Sequence, residues 1–231
     1  MLELISGNYN KDSIESQIIF DIRLPRILLA LLVGGTLALS GFVFQTIFRN
    51  PLADPYILGI SSGASLGAVL SIFFISSTIS STYLFFQKAA LTPLFSFIFG
   101  LLTLLFIFFT SYIRGKTNIY FLLLSGVVVS FFTSSITMFL IMISDRVKIF
   151  MSLSFILGNL SNATYTDVLI LLCPTIAGLI VMLIYAKELN ILATGEELAQ
   201  TMGVNSERLI FILIFLLSLV VGVSVSFAGS I

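Results

Sequence analysis

The chain has no histidine, no tryptophan, a single cysteine at Cys173 and only 10% charged residues. Without imidazole and with one thiol, a metal site built on His and Cys ligands is excluded. No disulfide can close within the chain. Eleven basic residues balance eleven acidic ones, so no basic field points to nucleic acid as a partner. A soluble domain carries about 25% charged residues. At 58% hydrophobic, these 231 residues expose more apolar surface than a soluble fold can hide, whereas lipid can cover it.

Charge is also missing over long stretches. The gaps between successive charges reach 22 residues from Arg26 to Arg49, 33 from Asp54 to Lys88, 25 from Lys88 to Arg114 and 28 from Lys116 to Asp145. Asp167 to Lys187 encloses 19, and 23 residues follow Arg208. A helix needs roughly 20 apolar residues to cross the hydrocarbon of a bilayer. Barrel strands alternate apolar and polar residues over about 10 positions, and these runs do not. The chain reads as all-α and polytopic, with spans at about 26–48, 57–78, 92–113, 119–143, 167–186 and 208–229. The tyrosines, mostly near run ends, suit the membrane interface.

Between the spans, 149–163 turns polar at Gly158, Asn159, Ser161 and Asn162, which predicts a short helix lying in the interface or re-entering the bundle. Pro93 suits a helix first turn and Pro174 lies inside a span. The segment Lys187 to Arg208 is the longest polar break. There Thr194 is placed to cap a short amphipathic helix, with Glu197 as capping-box partner and Gly203 as the stop. Leu198 and Met202 would share one face; a solvated turn is the plainer alternative. Basic residues split almost evenly between the two sides, so charge alone does not orient the chain.

No acid or base lies in the middle of any span, which argues against proton-driven or ion-coupled transport. Gly115-Lys116-Thr117 lacks the earlier glycine of a phosphate loop, since Thr110 holds that place, and reads as a basic turn. If ATP drives this protein, another chain binds it. Gly34, Gly35, Ala38 and Gly41 form one small-residue face, and Gly59, Ser62, Gly63, Ala64, Gly67 and Ala68 another, as close helix packing requires. The fourth span carries Ser125, Ser130, Thr133, Ser134, Ser135 and Thr137, whose hydroxyls either bond helix carbonyls or wet a pathway. Arg23 and Arg26, three apart at the head of a span, either anchor in the interface or present paired guanidinium forks to carboxylates of a soluble partner.

Taken in order, several segments resemble the FecCD family, the permease subunits of ATP-binding-cassette (ABC) importers for iron–siderophore complexes, haem and cobalamin. They are Arg23-Leu24-Pro25-Arg26, Gly41 to Gln45, Asn50-Pro51-Leu52-Ala53-Asp54-Pro55, Leu58 to Ala64, Leu122 to Gly126, Leu192 to Gly203 and Gly222 to Gly229. The resemblance implies a type II importer permease bundle in the cytoplasmic membrane, with about six full spans present of an expected ten. It implies a polar segment 1–22, a partial permease domain 23–231 and a cytoplasmic coupling segment at about 188–207. Arg23 and Arg26 match positions that dock glutamates of an extracytoplasmic substrate-binding protein. Thr194, Gly195, Glu196, Glu197, Leu198, Ala199, Met202 and Gly203 match the helix seated in the ABC ATPase subunits. Gly34, Gly41, Gln45, Asn50, Pro51, Gly59, Ser62 and Gly63, with Ser125, Gly126, Ser130 and Thr133 of the fourth span, fall in the pathway or in helix packing. Family members pair as homodimers, carry no cofactor of their own and leave ATP hydrolysis to a separate chain. The expected solute is a metal chelate, a ferric siderophore first. Complete members also have a helix before the Arg23 position and about three beyond Ile231, so the chain is expected to be part of such a permease. The rival expectations are a truncated, non-transporting remnant or scaffold, and an ion-coupled carrier, which inverted repeats and an intramembrane charge would favour.

Overall fold

A computed structural model describes residues 14–78, 83–113, 116–117 and 119–230. Helix α1 runs from Ile14 to Phe48, 35 residues. The polar lead-in expected up to residue 22 is therefore helical from Ile14 onward, while residues 1–13 lie outside the described residues. The helix widens to π winding over Ile18–Arg23. Pro25 has no amide to offer Asp21, and the register slips upstream of it. The amide of Leu24 reaches Ile19 O instead, and Phe20 O accepts the hydroxyl of Tyr165 at 2.6 Å.

A short 3₁₀ turn, Pro55–Leu58, capped by the Asp54 carboxylate on the amide of Tyr56, leads to left-handed Gly59 and to α2, Ile60–Thr78. The second helix thus begins three residues later than its apolar run. Helix α3, Tyr83–Ser111, begins earlier than expected, so Pro93 lies inside it and not in its first turn. The pair β1 (Tyr112–Ile113) and β2 (Lys116–Thr117) leads to α4, Ile119–Met142. That is the one extended pairing among the described residues; Gly115 lies outside them.

Helix α5, Arg146–Ile156, packs against α2. Near its start Lys148 Nζ donates to Phe73 O at 3.2 Å, and near its end Phe155 O accepts the amide of Ser230, whose hydroxyl meets Ser61. The helix therefore runs back along α2 from Phe73 toward Ser61. Helix α6, Tyr165–Ile184, opens on a full capping box between Thr164 and Asp167 and contains Pro174. Helices α7 (Ala186–Thr194) and α8 (Glu196–Thr201) make up the polar break. Helix α9, Ser206–Ala228, closes the described chain.

Among the described residues, five helices are long and apolar enough to cross a membrane, and Ile60–Phe74 is a shorter apolar helix beside them. Helix α9 is the hub: two-thirds of its apolar window is buried, against a third or less in the other four. It packs on α1, α2, α3 and α6. The outward sides of α3, α4 and α6 present residues such as Phe109, Phe131, Phe132 and Leu169, which suit lipid and not water.

Candidate functional site

Two regions gather the residues singled out by sequence, one at each end of α1. At its C-terminal end, Phe44 and Ile47 of α1, Leu189 and Leu192 of α7, Ala199 of α8 and Leu209 of α9 share one buried cluster. Helix α8 is only six residues long and rests on this cluster through Ala199, which is fully buried. Its other face is bare: Leu198 is 56% and Met202 65% exposed. Glu197 is exposed beside them and Glu196 half-buried. Gly203, at φ +85°, ends the helix as expected, its amide reaching Gln200 O while Val204 reaches Ala199 O.

Thr194 does not cap α8. It belongs to the last turn of α7, where its hydroxyl donates to Ile191 O at 2.7 Å. The residue before α8 is Gly195, at φ +135°, a backbone conformation that favours glycine, with no side chain to cap anything. A threonine one turn back finds an acceptor in its own helix, which removes it from capping duty.

An open groove of about 500 Å3 lies along α1 and the α1–α2 turn. It gathers Gly41, Gln45 and Pro51, with Ala38, Asp54 and Tyr56. Asn50 is not among the lining residues; it is exposed and turns the loop by accepting the amide of Leu52 at 2.9 Å. Burial first, and then the neighbouring Asp54 carboxylate, push the Tyr56 phenol up to about 12. It stays neutral at physiological pH and can donate a hydrogen bond but carries no charge. Among the described residues nothing lies within 4 Å of a methyl built on Gly34, Gly35 or Gly41, so that small face packs on none of them.

The second small face is packed tightly. A methyl on Gly63 would overlap Thr103, and one on Gly67 would overlap Phe95 O and Phe99. Gly59, left-handed at φ +70°, sits against Ser130 Oγ and Gly126 O, and Gly126 lies under Ile57 O. Ser62 donates to Gly59 O at 2.8 Å. Of the hydroxyls on α4, Ser125 bonds Phe121 O, Thr133 bonds Val129 O and Thr137 bonds Thr133 O. Helix carbonyls are thus partners of these groups, and Thr133 and Thr137 are both buried.

At the N-terminal end of α1, Arg23 and Arg26 are both exposed but not equivalent. Arg26 Nη2 donates to Ser161 O at 3.0 Å, across 135 residues of sequence, while Arg23 makes no hydrogen bond or ion pair among the described residues. Arg26 is thus tied to the loop between α5 and α6, and Arg23 is not. No sequence signal marks this link or the nearby Tyr165–Phe20 bond.

The arrangement offers a bundle, a groove with one amide, one carboxylate and one phenol, and two differently furnished ends. The family model described as the FecCD transport family matches residues 1–231. The chain belongs to the FecCD transport family. It is 39% identical over 214 residues to the cobalamin import system permease BtuC of Halobacterium salinarum, covering 93% of this chain and 55% of that protein. It is 36% identical to the molybdate import system permease MolB of Haemophilus influenzae over 95% of this chain and 62% of that one. A solved structure assigned as the inward-facing conformation of a metal-chelate type ABC transporter superposes with a TM-score of 0.83 at 33% identity, over 96% of this chain and 68% of that one. The chain thus spans a little over half to two-thirds of the lengths of the proteins it matches. Its fold is that of a FecCD permease: a multi-pass, helical membrane bundle.

Proposed function

We propose that this chain is the membrane-spanning permease part of an ABC importer for a metal chelate, with a ferric siderophore as the first solute to test. Cobalamin and molybdate, which the two relatives carry, are the next candidates. The observation that supports it most directly is α8, a six-residue helix with one face fixed in the bundle and two apolar side chains left bare. Exposed apolar tips on a firmly seated helix are what a soluble partner grips. The partner is an ABC ATPase on the cytoplasmic side, and 188–207 is the coupling segment. ATP is hydrolysed there and not on this chain. Two copies of the permease pair across the cytoplasmic membrane and rock between outward- and inward-open states.

The test is accumulation of labelled ferric siderophore, cobalamin and molybdate in proteoliposomes holding the chain, its ATPase and its binding protein. ATP-dependent accumulation of at least one solute is expected. Uptake driven by a proton gradient with no nucleotide consumed would refute the reading, and no uptake under either drive would favour a remnant or scaffold.

The binding protein docks at the N-terminal end of α1, on the opposite face. Because Arg26 already holds Ser161 O, docking falls chiefly on Arg23. Arg23→Glu should weaken binding-protein affinity about tenfold, as reversal of an interfacial charge does. Arg26→Glu should weaken it less and should loosen the link between α1 and the α5–α6 loop. Surface plasmon resonance on the reconstituted permease reads both, and equal affinity of Arg23→Glu and wild type would remove Arg23 from the contact.

A further inference from the structure

Among the described residues, Arg49 is the one non-glycine with positive φ, at φ 48° and ψ 40°. It ends α1 with the same wrap that ends α8. In α1 the amide of Arg49 reaches Thr46 O at 3.4 Å and that of Asn50 reaches Gln45 O at 3.2 Å. In α8 the amides of Gly203 and Val204 reach Gln200 O and Ala199 O, each at 3.0 Å. The pivot of this wrap is usually glycine, for which the left-handed conformation is free of Cβ strain. Helix α8 uses Gly203 there; α1 holds an arginine in the same conformation. Ending the helix calls for no side chain at this position, so a strained residue here points to a use for the side chain.

The side chain leads to the joint between α7 and α8. A methyl built on Gly195 would lie 3.5 Å from Arg49 Nη1, and Gly195 is buried. Below the joint, α7 packs along the end of α1, and Phe44, Ile47, Leu189, Leu192 and Ala199 share one core. Nη1 of Arg49, itself an exposed residue, therefore lies beside Gly195, where α8 leaves α7. The main chain of Arg49 is the point where α1 turns into the loop that lines the groove.

We propose that Arg49 is a strut that holds the α7–α8 joint to the α1–α2 turn, so that displacement of α8 is carried to the groove. This rests on the reading of 188–207 as the coupling segment. Arg49 is not among the residues that line the groove, and it acts as a positioning residue.

Arg49→Gly is the decisive variant, because glycine keeps the helix end and only the side chain is lost. The full chain is placed in lipid nanodiscs and amide hydrogen exchange is followed over 193–203 and 50–58. Thermal stability should equal or exceed that of the wild type, and exchange at the α7–α8 joint should rise roughly fivefold. With the ATPase bound as before, solute moved per ATP should fall about tenfold, and Arg49→Lys should recover part of it. Unaltered exchange at the joint overturns the strut whatever the transport result. Faster exchange with unaltered solute per ATP overturns its part in transmission. If the wild type moves no solute on ATP, the importer reading fails, and the exchange comparison still decides the strut.

Discussion

Gly67→Val should leave α2 unable to rest against α3, and the chain should lose most of its thermal stability in detergent. Gly63 and Gly67 stand four apart on α2, facing Phe95, Phe99 and Thr103 of α3. A Cβ at 67 would overlap the carbonyl oxygen of Phe95 and come within 2.7 Å of Phe99 Cβ. Backbone oxygen and Cβ cannot swing aside as a side-chain tip can, so the helices must part along the seam. In lipid, close backbone approach is much of what holds two helices together, since apolar burial gives no net drive there. Overpacking of this kind costs about 3 kcal/mol or more where the neighbour cannot yield. Gly34→Val is the matched control: among the described residues nothing lies within 4 Å of that Cβ, and an open site should shift stability by less than about 0.5 kcal/mol. Melting of both variants by size-exclusion thermostability decides it. Equal melting of Gly67→Val and wild type would mean that α2 and α3 do not meet at this seam.

The contrast between these glycines shows how far the sequence could be read. Spacing marked both small faces as packing surfaces; only coordinates separate the packed one from the bare one, because packing depends on a partner that spacing does not name. Charge placed the spans well where a charge coincides with a helix end, as at Arg49 and Arg208. It failed at Ile14–Phe48, where Glu15, Asp21 and Arg23 lie within the helix, and at Tyr83–Ser111, which starts before Lys88. Charge marks where hydrocarbon ends, and hydrogen bonding continues past it into the interface. Local stop signals were legible, Gly203 among them, whereas Thr194 was given the wrong duty because its own helix offered a closer acceptor. The bonds Arg26–Ser161 and Lys148–Phe73 join residues 135 and 75 positions apart. Neither leaves a mark in composition or period, so the unequal roles of the two arginines needed the structure.

Leu198→Asp combined with Met202→Asp should abolish productive ATPase binding while leaving the permease folded. Both side chains are exposed, so the folded chain loses no packing when they become charged; changes at such positions usually stay within about 0.5 kcal/mol. The bound complex differs. Burying one such apolar side chain is worth roughly 1.5–3 kcal/mol, and a carboxylate in the same socket must be stripped of water without a partner. Losing even one anchor lowers affinity about tenfold for each 1.4 kcal/mol, so the pair should cost at least about 100-fold. Ala199→Leu tests the opposite face. It forces bulk into the cluster of Phe44, Ile47 and Leu192, and should lower the melting temperature of the chain before any partner is added. Affinity by pull-down and melting by thermostability assay should therefore respond to opposite faces of a six-residue helix. If the aspartate pair binds ATPase as the wild type does, the bare side of α8 is not the grip, and the coupling role must move to another part of the Lys187–Arg208 segment.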